Sequence, residues 1–181
     1  EDLARVFEAT DADKFLAGLE AAMVSELTND FWQVTLPSRM ESSSSRTLSA
    51  FFAAQSVLGA KALFSTLGVG ELLDPSAAST KSDLEIHHLF PKAWLQKNGV
   101  TSPKDYNQIA NMGLLEWSAN IEVSDDAPTD YAPRLEERMK RSEAERDEAN
   151  RLQALPDDWW DLDYDDFLHQ RRELMADVVR M

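Results

Sequence analysis

The chain reads as a mainly helical protein carrying one small β-hairpin, and three observations support this. Apolar residues recur at helical spacing near both ends, as in Phe15, Leu19, Met23 and Leu27, and again in Phe167, Leu168, Leu174, Met175, Val178 and Val179. Between them lie two short apolar runs of strand length, Leu84–His88 and Gly113–Trp117. The composition, 181 residues with 43% hydrophobic side chains, suits one core of ordinary size and not two independent domains.

Asp11 precedes the first periodic stretch and predicts an N-cap for an amphipathic helix whose apolar face enters the core. Phe31 to Leu36 alternates loosely until Pro37 and is expected as a short strand or irregular connection, followed by a serine-rich solvent loop from Ser38 to Ser45. From Arg46, the run Leu48, Phe51, Phe52, Val57, Leu58, Ala62 and Leu63 predicts a largely buried helix ending before Gly68. Gly68, Gly70 and Asp74-Pro75 break regularity, and Ser76 to Ser82 reads as a link into the first strand. Lys92 to Gly99 predicts one or two helical turns closed by glycine, and a loop through Pro103 leads to Asn111. Pro133 to Leu155 is dense in Glu and Arg and predicts one exposed helix. Pro156 to Asp163 is expected as a turn, and the last helix starts near Asp163. The organisation expected is an N-terminal helical lobe over 1–82, a functional unit over 83–132, and C-terminal helices over 133–181 packing on the same domain.

Charge and composition restrict the function. The chain has no cysteine, so disulfides, thiolate metal sites and thiol nucleophiles are excluded, and a reducing cytoplasm is the expected compartment. No apolar run approaches the roughly 20 residues that cross a bilayer. The chain begins on a glutamate, which suggests a domain cut from a longer soluble protein. A net charge of -15 argues against a nonspecific nucleic-acid coat, which needs a basic footprint. Residues 1–121 carry 15 acidic and 9 basic side chains, and residues 122–181 carry 18 and 9, so the tail is the more acidic part. Attraction to DNA would then rest on a divalent cation and on a partner domain outside this sequence.

Two of the chain's three histidines stand side by side, His87 and His88, at the end of the first apolar strand and just before Leu89-Phe90-Pro91. Phosphodiester hydrolysis needs a base to deprotonate water and a cation to absorb charge on the phosphate. Neutral imidazole suits the first task, because its ordinary pKa of about 6.5 leaves it mostly unprotonated at pH 7. His88 is the candidate base, with His87 and Asn120 as ligands of one divalent ion. So thin a protein shell suits magnesium, which keeps several waters and accepts substrate phosphate, with manganese able to substitute. Adjacent strand residues face opposite ways, and Pro91 is expected to end the pairing so that both rings serve one site. Asn111 lies too far ahead to be a ligand; its amide is expected to pin the long loop through backbone groups. A short helix from about Ser118 would carry Asn120.

The segment from Leu84 to Pro128 resembles the HNH, or His-Me finger, nuclease superfamily on the residues Ile86-His87-His88-Leu89-Phe90-Pro91, Asn111, Asn120, Ser124 and Pro128. That resemblance implies a ββα-metal finger embedded in the helical domain. It assigns the base to His88, the metal ligands to His87 and Asn120, and a structural role to Asn111. Many relatives place a basic residue before the serine, where this chain has Val123, so phosphate contact would fall to Lys92 and Arg134. A helical lobe with a serine-rich loop and Arg46 ahead of that segment, and a helix after the Pro128 to Tyr131 turn, look like the layout of the C-terminal nuclease domain of GmrSD-type and SspE-type antiphage restriction proteins. The specific motif covers about a quarter of the chain. The implied partners are modified or phage DNA and an N-terminal NTP-hydrolysing sensor domain of the same polypeptide; a homo-oligomer is compatible with this.

The alternative reading is a helical interaction or regulatory module that keeps an inactive finger, favoured by Val123 and the acidity. His169, on the last helix, reads as a solvated or packing side chain. Trp94, Trp117, Trp159 and Trp160 read as core or interface residues, and the Glu/Arg run at 136–151 as a solvated face.

Overall fold

The computed structural model describes residues 11–74, 84–116 and 123–181. Helices α1 (Ala12–Glu26), α2 (Leu36–Arg39), α3 (Ser45–Val57) and α4 (Val69–Leu73) precede strand β1 (Leu84–His88). Short helices α5 (Lys92–Lys97) and α6 (Pro103–Tyr106) then lead to strand β2 (Met112–Glu116), and α7 (Pro128–Met139), α8 (Glu143–Gln153) and α9 (Tyr164–Arg180) complete the described chain. The described residues are mainly helical with one two-stranded antiparallel sheet. None of the described helices is long and apolar enough to cross a membrane.

The hairpin pairs in the register Leu84 with Glu116 through His88 with Met112. On the far side of β2, the Leu63 backbone N–H donates to the Leu114 carbonyl at 2.9 Å, so β2 is flanked on both edges. This explains why the helix predicted to reach Gly68 stops at Val57. Gly59 takes φ +71 and ends the helical path, and the apolar residues Ala60, Ala62 and Leu63 are buried from an extended segment beside the hairpin. Val57, expected on the buried face, is exposed.

Other expectations change in instructive ways. Phe31–Thr35 is a π-helical turn running directly into α2, where a strand or irregular connection was expected; Pro37 follows the Leu36 N–H that bonds the Phe31 carbonyl and does not stop the helical path. Ser38 belongs to that helix as well, so the serine-rich loop is reduced to the turn that precedes α3. The Glu/Arg-rich stretch is two helices. Lys140 adopts the left-handed region at φ 51, and Ser142 starts α8 through a capping box with Glu145, whose carboxylate accepts from the Ser142 N–H at 2.8 Å. Pro128 to Tyr131 forms the first turn of α7 and not a turn ahead of a helix. The loop through Pro103 contains α6, a single helical turn begun by that proline.

Asp11 caps α1, its side chain accepting from the Asp13 and Lys14 N–H groups at 2.9 and 3.3 Å. Nothing in α1 is buried, however; Leu16 is 60% and Met23 51% exposed, so its apolar face is not core.

One apolar core joins the segments before, within and after the hairpin. Phe90 lies at its centre, with its ring centroid 4.8 Å from Phe167, 5.2 Å from Tyr164, 5.8 Å from Trp94 and 6.1 Å from Trp159. Helix α9 contributes Phe167, Leu168, Met175 and Val178, all buried, at about 1.5–3 kcal/mol for each large apolar side chain removed from water. Trp159 is fully buried and Trp94 and Trp160 pack partly against the core. The link Ser76 to Ser82, and Trp117 with the expected helix from Ser118, lie outside the described residues.

Candidate active site around His88

The last two residues of β1 are the two histidines, His87 opposite Gly113 and His88 opposite Met112. On a regular strand neighbouring side chains point to opposite faces, so a site that takes both rings depends on His88 standing at the last paired position, where the strand ends. Pairing does not stop ahead of them, because the Leu89 N–H still donates to the Asn111 carbonyl at 2.8 Å. The chain turns away only at Phe90 and Pro91, and His88 is thus held at the final paired position, where strand gives way to loop.

Asn111 fixes that turn. Its side-chain oxygen accepts from the Phe90 N–H at 2.8 Å, while its amide nitrogen donates to the carbonyls of Phe90 and Tyr106, both at 3.1 Å. The residue is fully buried, so three backbone groups that no water reaches are satisfied by one side chain. Asn111 therefore ties the segment just after His88 to the end of α6. From the other side, the Tyr131 hydroxyl of α7 donates to the Leu89 carbonyl. Burial pushes the Tyr131 hydroxyl well above the usual phenol range, which keeps it protonated and able to donate. A third support comes from α9, where the buried Arg171 donates to the Ala110 carbonyl at 2.7 Å and to the Gln153 carbonyl at 3.4 Å. Its partners are neutral carbonyls, and burial lowers its pKa to about 9.

His88 itself is half-buried, and its Nε2 lies 3.0 Å from Asn107 Oδ1. The Tyr106 ring meets the imidazole edge-on, with centroids 6.2 Å apart. Desolvation holds the His88 pKa below its ordinary 6.5; the bond to Asn107 opposes this, and the charge of Lys92 adds to the lowering. The ring is consequently neutral at pH 7, the protonation state a base requires. Lys92, on the first turn of α5, lies with its Nζ 5.2 Å from the Tyr106 ring centroid. A cation beside a neutral imidazole is an arrangement that an anionic substrate can enter.

The structure thus brings His88, Lys92 and Asn111 into one neighbourhood and adds Tyr106 and Asn107, which the sequence reading passed over. Arg134, the second cation expected to meet phosphate, pairs with Asp126 at 3.2 Å on the surface before and within α7. Val123 is buried, and Ser124, next to it, is exposed at φ 46. His169 is solvated, 3.9 Å from Glu173. Asn120 lies outside the described residues. Comparison with protein-family models, curated proteins and solved structures finds no match to the chain.

The chemistry of the donor set bears on the divalent ion that the resemblance implies. Among the described residues, no group of three or more His, Asp or Glu gathers to hold a metal. His87, half-buried at the strand end, is the one expected ligand in the described part. An imidazole with an amide would leave most of an ion's coordination to water and phosphate oxygens, which suits an open site and does not fit an ion caged wholly by protein.

Proposed function

We propose that this chain is a magnesium-dependent DNA endonuclease domain of an antiphage restriction protein, built on an HNH finger, with His88 as general base and His87 and Asn120 as metal ligands. The observation that carries this reading is the state of His88: an imidazole kept neutral by burial, one nitrogen bonded to Asn107, at the tip of a strand that Asn111 anchors. In the reaction, His88 takes a proton from water as the water oxygen forms its bond to phosphorus; the bond from phosphorus to the 3′ oxygen breaks, leaving a 5′-phosphate and, after protonation from solvent, a 3′-hydroxyl. A bound divalent ion supplies charge stabilisation at the phosphate and the leaving oxygen. Lys92 attracts the phosphate. Recognition of modified or phage DNA belongs to an NTP-hydrolysing sensor domain of the same polypeptide, which compensates for the acidity of this part.

Replacing His88 with alanine should reduce magnesium-dependent nicking of plasmid DNA by about 10²–10⁴-fold, the range for removing a general base, with an unchanged thermal melt. In the parent protein the rate should rise with pH through an inflection below 6.5 and then level off, since only the unprotonated ring accepts a proton. Undiminished cleavage by His88→Ala refutes the assignment. The acidity and the buried Val123 favour a second reading, an interaction module with an inactive finger. Absence of cleavage by the parent protein with either magnesium or manganese, relative to a chelator control, selects it.

A further inference from the structure

We infer that Asn107 is the positioning residue of the His88 base, fixing which ring nitrogen carries the proton and which is left to accept one. The catalytic part of this inference rests on the nuclease reading; the assignment of the proton does not. With the Asn107 amide oxygen facing the ring, and an amide oxygen only accepting, the ring nitrogen 3.0 Å away is assigned the proton. Neutral imidazole carries a single N–H, and with that hydrogen on Nε2 the lone pair is on Nδ1. The hydrogen bond to Asn107 is the ring's only one among the described residues, which leaves Nδ1 uncommitted.

Asn107 is itself held in place. It terminates α6, donating its backbone N–H to the Pro103 carbonyl at 3.1 Å. The carbonyl of the preceding residue, Tyr106, accepts from Asn111 at 3.1 Å, and the Tyr106 ring is buried against His88. Asn111 grips the Phe90 backbone, two residues past His88, with the same side chain. One buried amide therefore sets the distance between the strand that presents the base and the helix end that orients it. An amide orients the ring without adding charge, so the imidazole stays neutral. A carboxylate at this position would favour the imidazolium.

The test uses Asn107→Leu, which removes the acceptor at similar volume, and Asn107→Asp, which restores it. In protein labelled with ¹⁵N at histidine, the His88 nitrogen shifts above pH 7.5 should show Nε2 protonated and Nδ1 bare. In Asn107→Leu the Nε2 proton should exchange with water at least about tenfold faster, and kcat for plasmid nicking should fall about tenfold or more with KM for DNA little changed. Asn107→Asp, assayed at pH 8, should recover both. A parent protein with the proton on Nδ1 overturns the inference, as does an Asn107→Leu variant with unchanged exchange and rate. A merely structural role would lower activity in both variants with no recovery by aspartate, and that result also overturns it. If the parent protein cuts no DNA, the nuclease reading fails on that measurement, and the nitrogen shifts and exchange rates still decide the proton's position.

Discussion

The β-hairpin and helix α1 differ in how they are held, and the difference separates what a pattern of apolar residues can specify from what it cannot. Helix α1 has regular spacing and a well-made aspartate cap, yet buries none of its residues. The hairpin is five residues per strand, and the connection between them is held by three polar side chains: Asn111 on Phe90 and Tyr106 and, from farther along the chain, Tyr131 on Leu89 and Arg171 on Ala110. Periodicity says which face of an element is apolar. It does not say that anything covers that face. A buried backbone group with a side-chain partner specifies a location, because leaving it unpaired costs more than the bond gains.

The sharpest way to break the comparison is Asn111→Ala. Three buried backbone groups lose their partner, each at about 1–3 kcal/mol, so a loss above about 3 kcal/mol is expected. That is a large share of the 5–15 kcal/mol typical of a whole domain. Urea denaturation measures it directly, and a loss below about 1 kcal/mol would mean that apolar packing around Phe90 holds the turn without the amide.

Tyr131→Phe probes the second support and should cost less, about 1–2 kcal/mol, since one buried carbonyl is left without its donor while the ring remains. The hydroxyl is buried and strongly disfavoured as phenolate, so the effect should be the same at pH 6 and pH 8. A pH-dependent difference between variant and parent would show that the hydroxyl is not in the protonated, donating state.

The same contrast accounts for what was legible beforehand. The hairpin, the paired histidines and the spacing to Asn111 can be read locally, because strand length, the Leu89-Phe90-Pro91 stop and a nearby asparagine all lie within one stretch of chain. Tyr131 and Arg171 could not be placed that way, since their partners are 42 and 61 residues distant. Arg171 did leave a signal: it falls on the apolar stripe of α9 between Phe167 and Met175, where a charge needs buried acceptors. Asn107 left none, being one polar residue among several between α6 and Asn111. The early end of α3 was hidden for another reason. Ala60, Ala62 and Leu63 are apolar under helical and extended readings alike, and contact with β2 decided between them.

The smallest effect should come from the stripe on α1. Leu16 and Met23 are 60% and 51% exposed, so each keeps most of its contact with water on folding, and the transfer free energy that penalises polar substitutions in a core is largely missing. Leu16→Ser and Met23→Ser should each change global stability by no more than about 0.5 kcal/mol, as at other surface positions. Serine is a poorer helix former than leucine or methionine, so local fraying, seen as faster amide exchange within α1, should exceed any shift of the global unfolding midpoint. A loss above about 1.5 kcal/mol from either substitution would place the α1 stripe against apolar surface in solution, and the two regions would then be held by the same kind of force.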